Sequence, residues 1–509
     1  MDHLNVSHQW ITKILPNHPM PQDLHPWQHD AIGILLGGET VALCVPTGSG
    51  KTLPQLATSL FFKSGLALVI PPLISIEAQL EDQCKAWNIP FLNLSSVSIE
   101  DIKSKVVSSG ARIVIASIEK ISDVLVQKAI RDINVNYISV DECQVMDSEN
   151  GWTSFRPYVP QTWNFLRANY RAPFLLCSAT MEEESMVRIL SSLHYQKKDV
   201  KILYKSPDRP NIYQQLRVHS EPLDVGNIDK ILGFVLPIIS DSAFSKCQIF
   251  NISKRSNDIV AAWLKSQIRN LGILGGSCKK VEKLSGDNSK DEKIRVMERF
   301  KTGECKVLVS TDVAGMGTDV PGLDLVINVG IPRTPWKFLQ QCGRAGRERQ
   351  PSAAVTIKFP VKGRSAPLAS IKNALIEDEC LREGINKVFE LKAFKDYSSD
   401  TGRFGCLEIS CETAGSCDCD ECACCSSCSD TCSCAYALKD SNEVLKELLK
   451  LGDNNYRSTW ERVKLSREDN SSASSDDYYE SSSDEERVDA LELNFVDLTP
   501  QFANLLSNE

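Results

Sequence analysis

The chain has 509 residues, 42% of them hydrophobic, and a formal net charge of −9. That length suits about three domains of roughly 150 residues each, and that apolar share is enough for packed cores. No apolar run approaches the ~20 residues that span a bilayer, and no N-terminal stretch joins a basic flank, an apolar run and a cleavage site, so neither a membrane protein nor a secretory precursor is expected. The charge is uneven. Residues 468–509 hold 12 acidic and 1 basic residue, and the remainder holds 56 basic against 54 acidic. Charge therefore neither supports nor excludes a nucleic-acid partner.

Near the N-terminus Leu24, His25, Pro26, Trp27 and Gln28 precede an expected helix over residues 29–36. The Gln28 amide offers a donor and an acceptor, which suits an adenine edge; taken alone, an ordinary surface glutamine is the plainer reading. Residues 41–52 read VALCVPTGSGKT. The apolar run 41–45 predicts a buried strand. Thr47, Gly48, Ser49, Gly50, Lys51 and Thr52 form a small-residue loop that opens a helix. Backbone N–H groups in such a loop turn onto phosphates, the lysine reaches the β and γ oxygens, and the threonine hydroxyl ligates Mg²⁺. The full pattern wants glycine five residues before Gly50, and Val45 stands there.

Apolar runs recur at 67–70, 113–116, 137–140 and 174–177, with amphipathic segments between them. That alternation predicts a parallel sheet covered on both faces, with ligands beyond the strands' C-terminal ends. Asp141 and Glu142 follow one run, ahead of Cys143 and Gln144. After a phosphate loop, such a pair reads as a magnesium-holding carboxylate and a base that orients the attacking water. Ser178, Ala179 and Thr180 end the next run. Between them Trp152, Phe155, Arg156 and Tyr158 stand among Gly, Pro and polar residues. They read equally as a base-stacking loop or as aromatics anchoring a loop to the core.

Residues 206–212, with two prolines, read as a linker. A second alternation follows, with strands expected at 247–250, 281–284, 307–310, 325–328 and 355–359 and helices at 259–268 and 293–300. It has no phosphate loop of its own. Residues 310–319 (STDVAGMGTD) follow a strand, and 340–347 (QQCGRAGR) follow an expected helix. Arg344 and Arg347, three apart, share a face of a helical turn and suit charge stabilisation on a transferring phosphoryl group.

This order resembles the superfamily 2 helicases and, within them, the RecQ family of ATP-dependent DNA helicases, over roughly residues 20–430. Residues 71–76 are similar to the family's SPLISL, residues 208–212 to its DRPN segment and residues 315–317 to its FGMG, with Ala314 in place of Phe. The resemblance implies two RecA-like parallel-sheet domains in tandem (1–205 and 206–360), then a helical, cysteine-rich zinc subdomain (361–434) and a short helix with a disordered acidic tail (435–509). It implies that Gln28 reads adenine and that residues 47–52, Gly317 and Asp319 line the ATP site. Thr52 and Asp141 serve magnesium, Glu142 and Gln144 serve hydrolysis, and Ser178 and Thr180 couple the domains. Arg344 and Arg347 complete the ATP site, and Trp152, Phe155 and Arg156 sense single-stranded DNA. Two departures stand out: His25 replaces the arginine beside the adenine, and Gln144 replaces the histidine of a DEAH box.

Ten of the 19 cysteines lie between 406 and 434, in a stretch with little else apolar to bury. Short C-x₂-C spacing outside a secretory context reads as zinc before disulfide. The family resemblance assigns Cys380, Cys419, Cys422 and Cys425 as ligands; the longer insertion at 392–416 and the surplus cysteines leave other quartets open. Residues 466–486 are rich in Ser, Asp and Glu and are expected to be disordered, and residues 491–506 carry apolar side chains that suit a protein partner. The implied activity is a 3′-to-5′ DNA helicase using ATP, Mg²⁺ and Zn²⁺ on single-stranded or partly duplex DNA, nuclear (cytoplasm as the alternative), in repair or recombination. No winged helix or further helical domain is recognisable. The competing readings are an RNA-dependent ATPase of DEAD-box type and a nucleic-acid-binding scaffold with little unwinding.

Overall fold

A computed structural model describes residues 24–72, 74–149, 151, 158–209, 211–312, 320–348, 350–361, 366–376, 380–398, 425–427 and 441–452. All of them fall within one compact unit, Met1–Trp460.

Two parallel sheets organise these residues. The first has the order β14-β7-β1-β6-β5-β2-β4-β3. Its strands are β1 (Thr40–Cys44), β2 (Leu66–Ile70), β3 (Phe91–Asn93), β4 (Ile113–Ile115), β5 (Val135–Val140), β6 (Phe174–Ser178), β7 (Val200–Tyr204) and β14 (Lys395–Asp396). The second has the order β10-β11-β9-β12-β13-β8. Its strands are β8 (Ile212–Val218), β9 (Cys247–Asn251), β10 (Val281–Leu284), β11 (Val307–Ser310), β12 (Leu325–Val329) and β13 (Ser352–Lys358). Every strand pairing within the two sheets is parallel.

The local reasons are legible in the sequence. β1, β2, β6, β9 and β12 are buried along their whole length, as continuous Val/Ile/Leu/Cys runs in a doubly covered sheet require. Successive residues alternate faces, and the first sheet accordingly has two cores. Ala42, Leu68, Val140 and Leu176 belong to one; Val41, Leu43, Val69 and Leu175 belong to the other. Helix α1 (Pro26–Leu36) covers the second of these with Trp27, Ile32 and Leu35. Helix α2 (Thr52–Ala57) follows the phosphate loop, and α3 (Glu183–Ser192) follows Ser178–Thr180. In the second sheet's domain α4 (Lys254–Leu271) follows β9 with Ser253 as its N-cap, and α5 (Pro335–Cys342) starts behind Thr334 with proline in its first turn.

Strands β3, β7, β8 and β14 go beyond the strands read from the sequence, and β13 begins three residues earlier than expected. β14 is the largest departure. Residues 392–416 read as a polar insertion, yet Lys395 and Asp396 pair with Leu203 and Tyr204 at the edge of the first sheet. Helix α6 (Leu381–Val388), just upstream, packs in the second sheet's core through Leu381 and Ile385. Helix α7 (Ser441–Leu448) contacts β13.

Candidate nucleotide site

β1, β6 and β5 are neighbours, so the loops at their C-terminal ends are adjacent, and each carries one of the sequence-predicted elements. The phosphate loop continues β1. Val45 is fully buried and its N–H donates to Ser178 O at 3.1 Å. The residue that departs from the glycine pattern is thus still bonded to the neighbouring strand, where a glycine's freedom is not needed. That freedom is needed later: Gly48 and Gly50 have φ of +79° and +90°. Lys51 Nζ donates to Val45 O (2.9 Å) and Pro46 O (3.1 Å), closing the loop on itself. Phosphate oxygens compete for the same ammonium hydrogens. Thr47 is exposed, Ser49 and Thr52 are half-buried, and Thr52 begins α2.

Gln28 is buried at 6% exposure. Its Oε1 accepts from His25 N (3.0 Å), capping α1, and its Nε2 donates to Gly50 O (3.1 Å). A Cβ on Gly50 would lie 2.8 Å from that Nε2. The glutamine therefore braces the phosphate loop, with one amide hydrogen left over for a base edge. His25 is exposed and stacks on Trp27, centroids 5.8 Å apart.

Asp141 caps β5 and its N–H donates to Ile70 O at 3.1 Å. Burial and the neighbouring Glu142 push its carboxyl up to about 6, against the pull of Lys51. The amide of Gln55, on α2, is buried beside it. A buried amide gives no distinct sequence signal, so this residue escapes sequence reasoning. The Thr52 hydroxyl, the Asp141 carboxylate and the Gln55 amide suit a hydrated divalent cation beside the phosphates.

Glu142 adopts φ 46°, ψ 48°, a left-handed conformation that costs a non-glycine residue about 1–3 kcal/mol. The strained turn is held by a hydrogen-bonded chain. Gln144 Nε2 donates to Glu142 Oε2 (2.6 Å), and Ser178 Oγ lies 2.7 Å from Gln144 Oε1 and accepts from Thr180 N at 3.1 Å. Gln144 is 1% exposed and Ser178 fully buried. The glutamine thus links the acidic pair to Ser178–Thr180 using one donor and one acceptor. Downstream, buried Asp147 takes a two-pronged bond from Arg188 of α3 (2.7 Å each) and a third from Ser185 (2.6 Å). Gly151 N donates to Asp147 O, and a Cβ at Gly151 would lie 2.4 Å from Val145 O. The start of the aromatic segment is fastened to this turn. Trp152, Phe155 and Arg156 themselves lie outside the described residues, as do Gly317 and Asp319.

In the second sheet's domain, Arg344 (3% exposed) and the half-buried Arg347 follow α5. Their turn is gripped by the segment read as a linker. Arg209 Nη2 and Asn211 Nδ2 donate to Gly346 O at 2.6 and 2.8 Å, and Asn211 also donates to Gln350 O at 3.0 Å. Gly346 has φ +58°, and a Cβ there would lie 2.4 Å from Asn211 Nδ2. Asp312, ahead of the 313–319 stretch, accepts from Lys337 (2.6 Å) and Gln341 (2.8 Å) of α5.

Among the described residues no group of three His, Cys, Asp or Glu side chains is placed to hold a metal. Cys419 and Cys422 lie outside those residues. Cys380, the N-cap of α6, and Cys425 are described, and their Sγ atoms stand 3.9 Å apart. Cys425 forms a parallel bridge with Gln214 of the edge strand β8.

Residues 25–189 match the DEAD/DEAH box helicase family, and residues 237–349 match the helicase conserved C-terminal domain. The ATP-dependent DNA helicase RecQ of Haemophilus influenzae is 27% identical over 345 residues, 67% of this chain and 52% of that protein. The ATP-dependent RNA helicase dbp3 of Schizosaccharomyces pombe is 27% identical over 405 residues, 76% of this chain and 66% of that protein. The solved structure of the DEAD-box helicase Mss116 bound to ssRNA and UDP-BeF is similar in fold, with a TM-score of 0.56 at 18% identity, covering 90% of each chain. The chain spans about half the length of the RecQ relatives it matches.

Proposed function

Two helicase domains of superfamily 2 stand in tandem in this chain, and on that footing we propose that it is an ATP-dependent DNA helicase of RecQ type, moving 3′ to 5′ on single-stranded DNA and displacing the complementary strand. The observation that carries the reading is the chain Glu142–Gln144–Ser178–Thr180 beside Lys51 and Asp141. In this reading Lys51 leaves its loop carbonyls for the β and γ phosphates. Glu142, aimed by Gln144, takes the proton of the attacking water. Arg344 and Arg347 approach the transferring phosphoryl group from the second domain. Gln144 and Ser178 then report the state of the γ-phosphate to the loop fastened at Gly151, whose Trp152, Phe155 and Arg156 meet the unpaired strand. Bound Mg²⁺ screens the phosphate charge. The cellular setting that goes with this reading is DNA repair or recombination in the nucleus.

The RecQ choice rests on two local features: the Arg209–Asn211 grip on Gly346, and the Cys380–Cys425 pair. Zn²⁺ on Cys380, Cys419, Cys422 and Cys425 belongs to the proposal. A second reading, an RNA-dependent ATPase, is favoured by the equal identity of dbp3.

The test is ATP hydrolysis without nucleic acid, with single-stranded DNA and with single-stranded RNA, beside Lys51→Ala. Stimulation of several-fold by DNA alone, abolished in Lys51→Ala, is expected. Stimulation by RNA alone transfers the assignment to the RNA reading, and absence of hydrolysis in the wild type removes both.

A further inference from the structure

The described residues lie in the first sheet domain up to Tyr204, in the second from Ile212 to Phe389, in the first again at 391–398, and in the second at Cys425. The first crossing is the linker after Tyr204. The second is abrupt. Phe389 lies in the core of the second domain, and Leu391, two residues on, lies in the core of the first. From there residues 391–398 lie along the edge of the first sheet. Phe394 N donates to Ile202 O and Tyr397 N to Tyr204 O, both at 2.8 Å, and Ser206 N donates to Ser398 Oγ at 2.8 Å. The Tyr397 ring packs against the core under α1. Two side chains of this segment converge on one atom of α1: Lys395 Nζ (2.7 Å) and the Tyr397 hydroxyl both donate to Asp30 Oδ2. Burial raises the Asp30 carboxyl, and the bonds from Lys395 and Tyr397 outweigh it, leaving the group below its usual range. Asp30 lies two residues from Gln28, which holds Gly50 of the phosphate loop.

We propose that residues 391–398 are a strap that sets nucleotide affinity: Lys395 and Tyr397 are positioning residues that act through Asp30 and α1 to hold Gln28 against the phosphate loop, so the trailing part of the second domain has a mechanical connection to the ATP site. The half-exposed ion pair contributes little by itself. The tyrosine hydroxyl on the same oxygen, the strand pairing and the one-residue crossing give the connection its stiffness. Nucleotide affinity and strap order are then linked reciprocally.

The inference rests on the ATP-binding reading, so its test measures binding apart from hydrolysis. Affinity for the β,γ-imido analogue of ATP with Mg²⁺ is measured for the wild-type chain, Tyr397→Phe, Asp30→Asn and their double variant, alongside KM and kcat for ATP. Each single variant should weaken binding and raise KM about five-fold with kcat within about two-fold, and the double variant should be no worse than either. In hydrogen exchange the analogue should slow residues 394–398 of the wild type but not of Lys51→Ala. Unchanged affinity in Tyr397→Phe, or lower thermal stability without a change in affinity, overturns the strap. A wild type that binds no analogue overturns the ATP site, and the strap with it.

Discussion

Gln144 shows how a single residue type sets the behaviour of a site. Its amide donates to Glu142 and accepts from Ser178, and the amide itself adds no titrating group to the link. Gln144→Leu removes both bonds and leaves buried Ser178 facing a hydrocarbon. A fall in kcat of about ten-fold or more is expected, with the loss concentrated in nucleic-acid stimulation. Gln144→His restores a donor and an acceptor but adds a group that titrates near pH 6–7. Its kcat should acquire a further titration in that window, on top of the one that Asp141, pushed up to about 6, gives the wild type. A Gln144→His profile parallel to the wild type's would sink the idea that this side chain is the link. At this scale the sequence revealed residue types and not their partners. Gln28 was legible as an amide suited to adenine, but its contact with Gly50 depends on the approach of α1 to the loop, which no local pattern encodes.

At the scale of elements, segments between strands do more fastening than their composition suggests. Residues 206–212 carry the prolines of a linker, yet Arg209 and Asn211 hold the turn that carries Arg344 and Arg347, and Arg382 of α6 donates to Ile212 O at 2.7 Å. Gly346→Ala would force a Cβ to 2.4 Å from Asn211 Nδ2 in a left-handed backbone. A loss of about 2–4 kcal/mol, measured by denaturant unfolding, is expected along with most of the ATPase rate. Asn211→Ala in the same background should recover part of the stability. The N-terminus of α3 gives a pH signature. Burial and the nearby Asp147 raise Glu182 from 4.5 to about 7, opposed by Arg188. Its folded value exceeds its unfolded one, so the folded state holds the extra proton between about pH 4.5 and 7, and stability falls as pH rises through that window. Glu182→Gln should therefore be more stable than the wild type by about 1–2 kcal/mol at pH 8 and near equal at pH 4.5. An equal difference at both pH values would show that the carboxyl is not the cause.

Across the whole molecule, the tandem parallel sheets were legible because each buried strand is a continuous apolar run and each chemical element follows one. Two of the strands that escaped notice had a different character: β14 is two charged residues, and β8 is half polar, with Gln214 and Gln215 buried in it. β8 is also where Cys425 and Ser426 dock. Cys425 pairs with Gln214, and Ser426 Oγ accepts from Leu216 N at 3.2 Å. The 3.9 Å between the two Sγ atoms excludes a disulfide, which needs about 2.05 Å, and fits two free thiols in contact as well as two thiolates about 3.8 Å apart on one tetrahedral zinc. If zinc joins Cys380 and Cys425, one ion cross-links α6 to the edge of the second sheet over 45 residues of chain. Elemental analysis of the purified chain should then give about one zinc per molecule, with Cys380→Ser and Cys425→Ser each well below that. Stripping the metal with a strong chelator at neutral pH should lower the unfolding temperature by the order of 5–10 °C, reversed by added Zn²⁺. Because α6 leads through Phe389 into the strap, metal loss should also weaken binding of the ATP analogue, though Cys380 and Cys425 themselves belong to the second sheet's core. A chain that carries no zinc, or a Cys425→Ser variant that keeps a full equivalent, would assign the thiol pair to ordinary packing and separate the cysteine region from the nucleotide site.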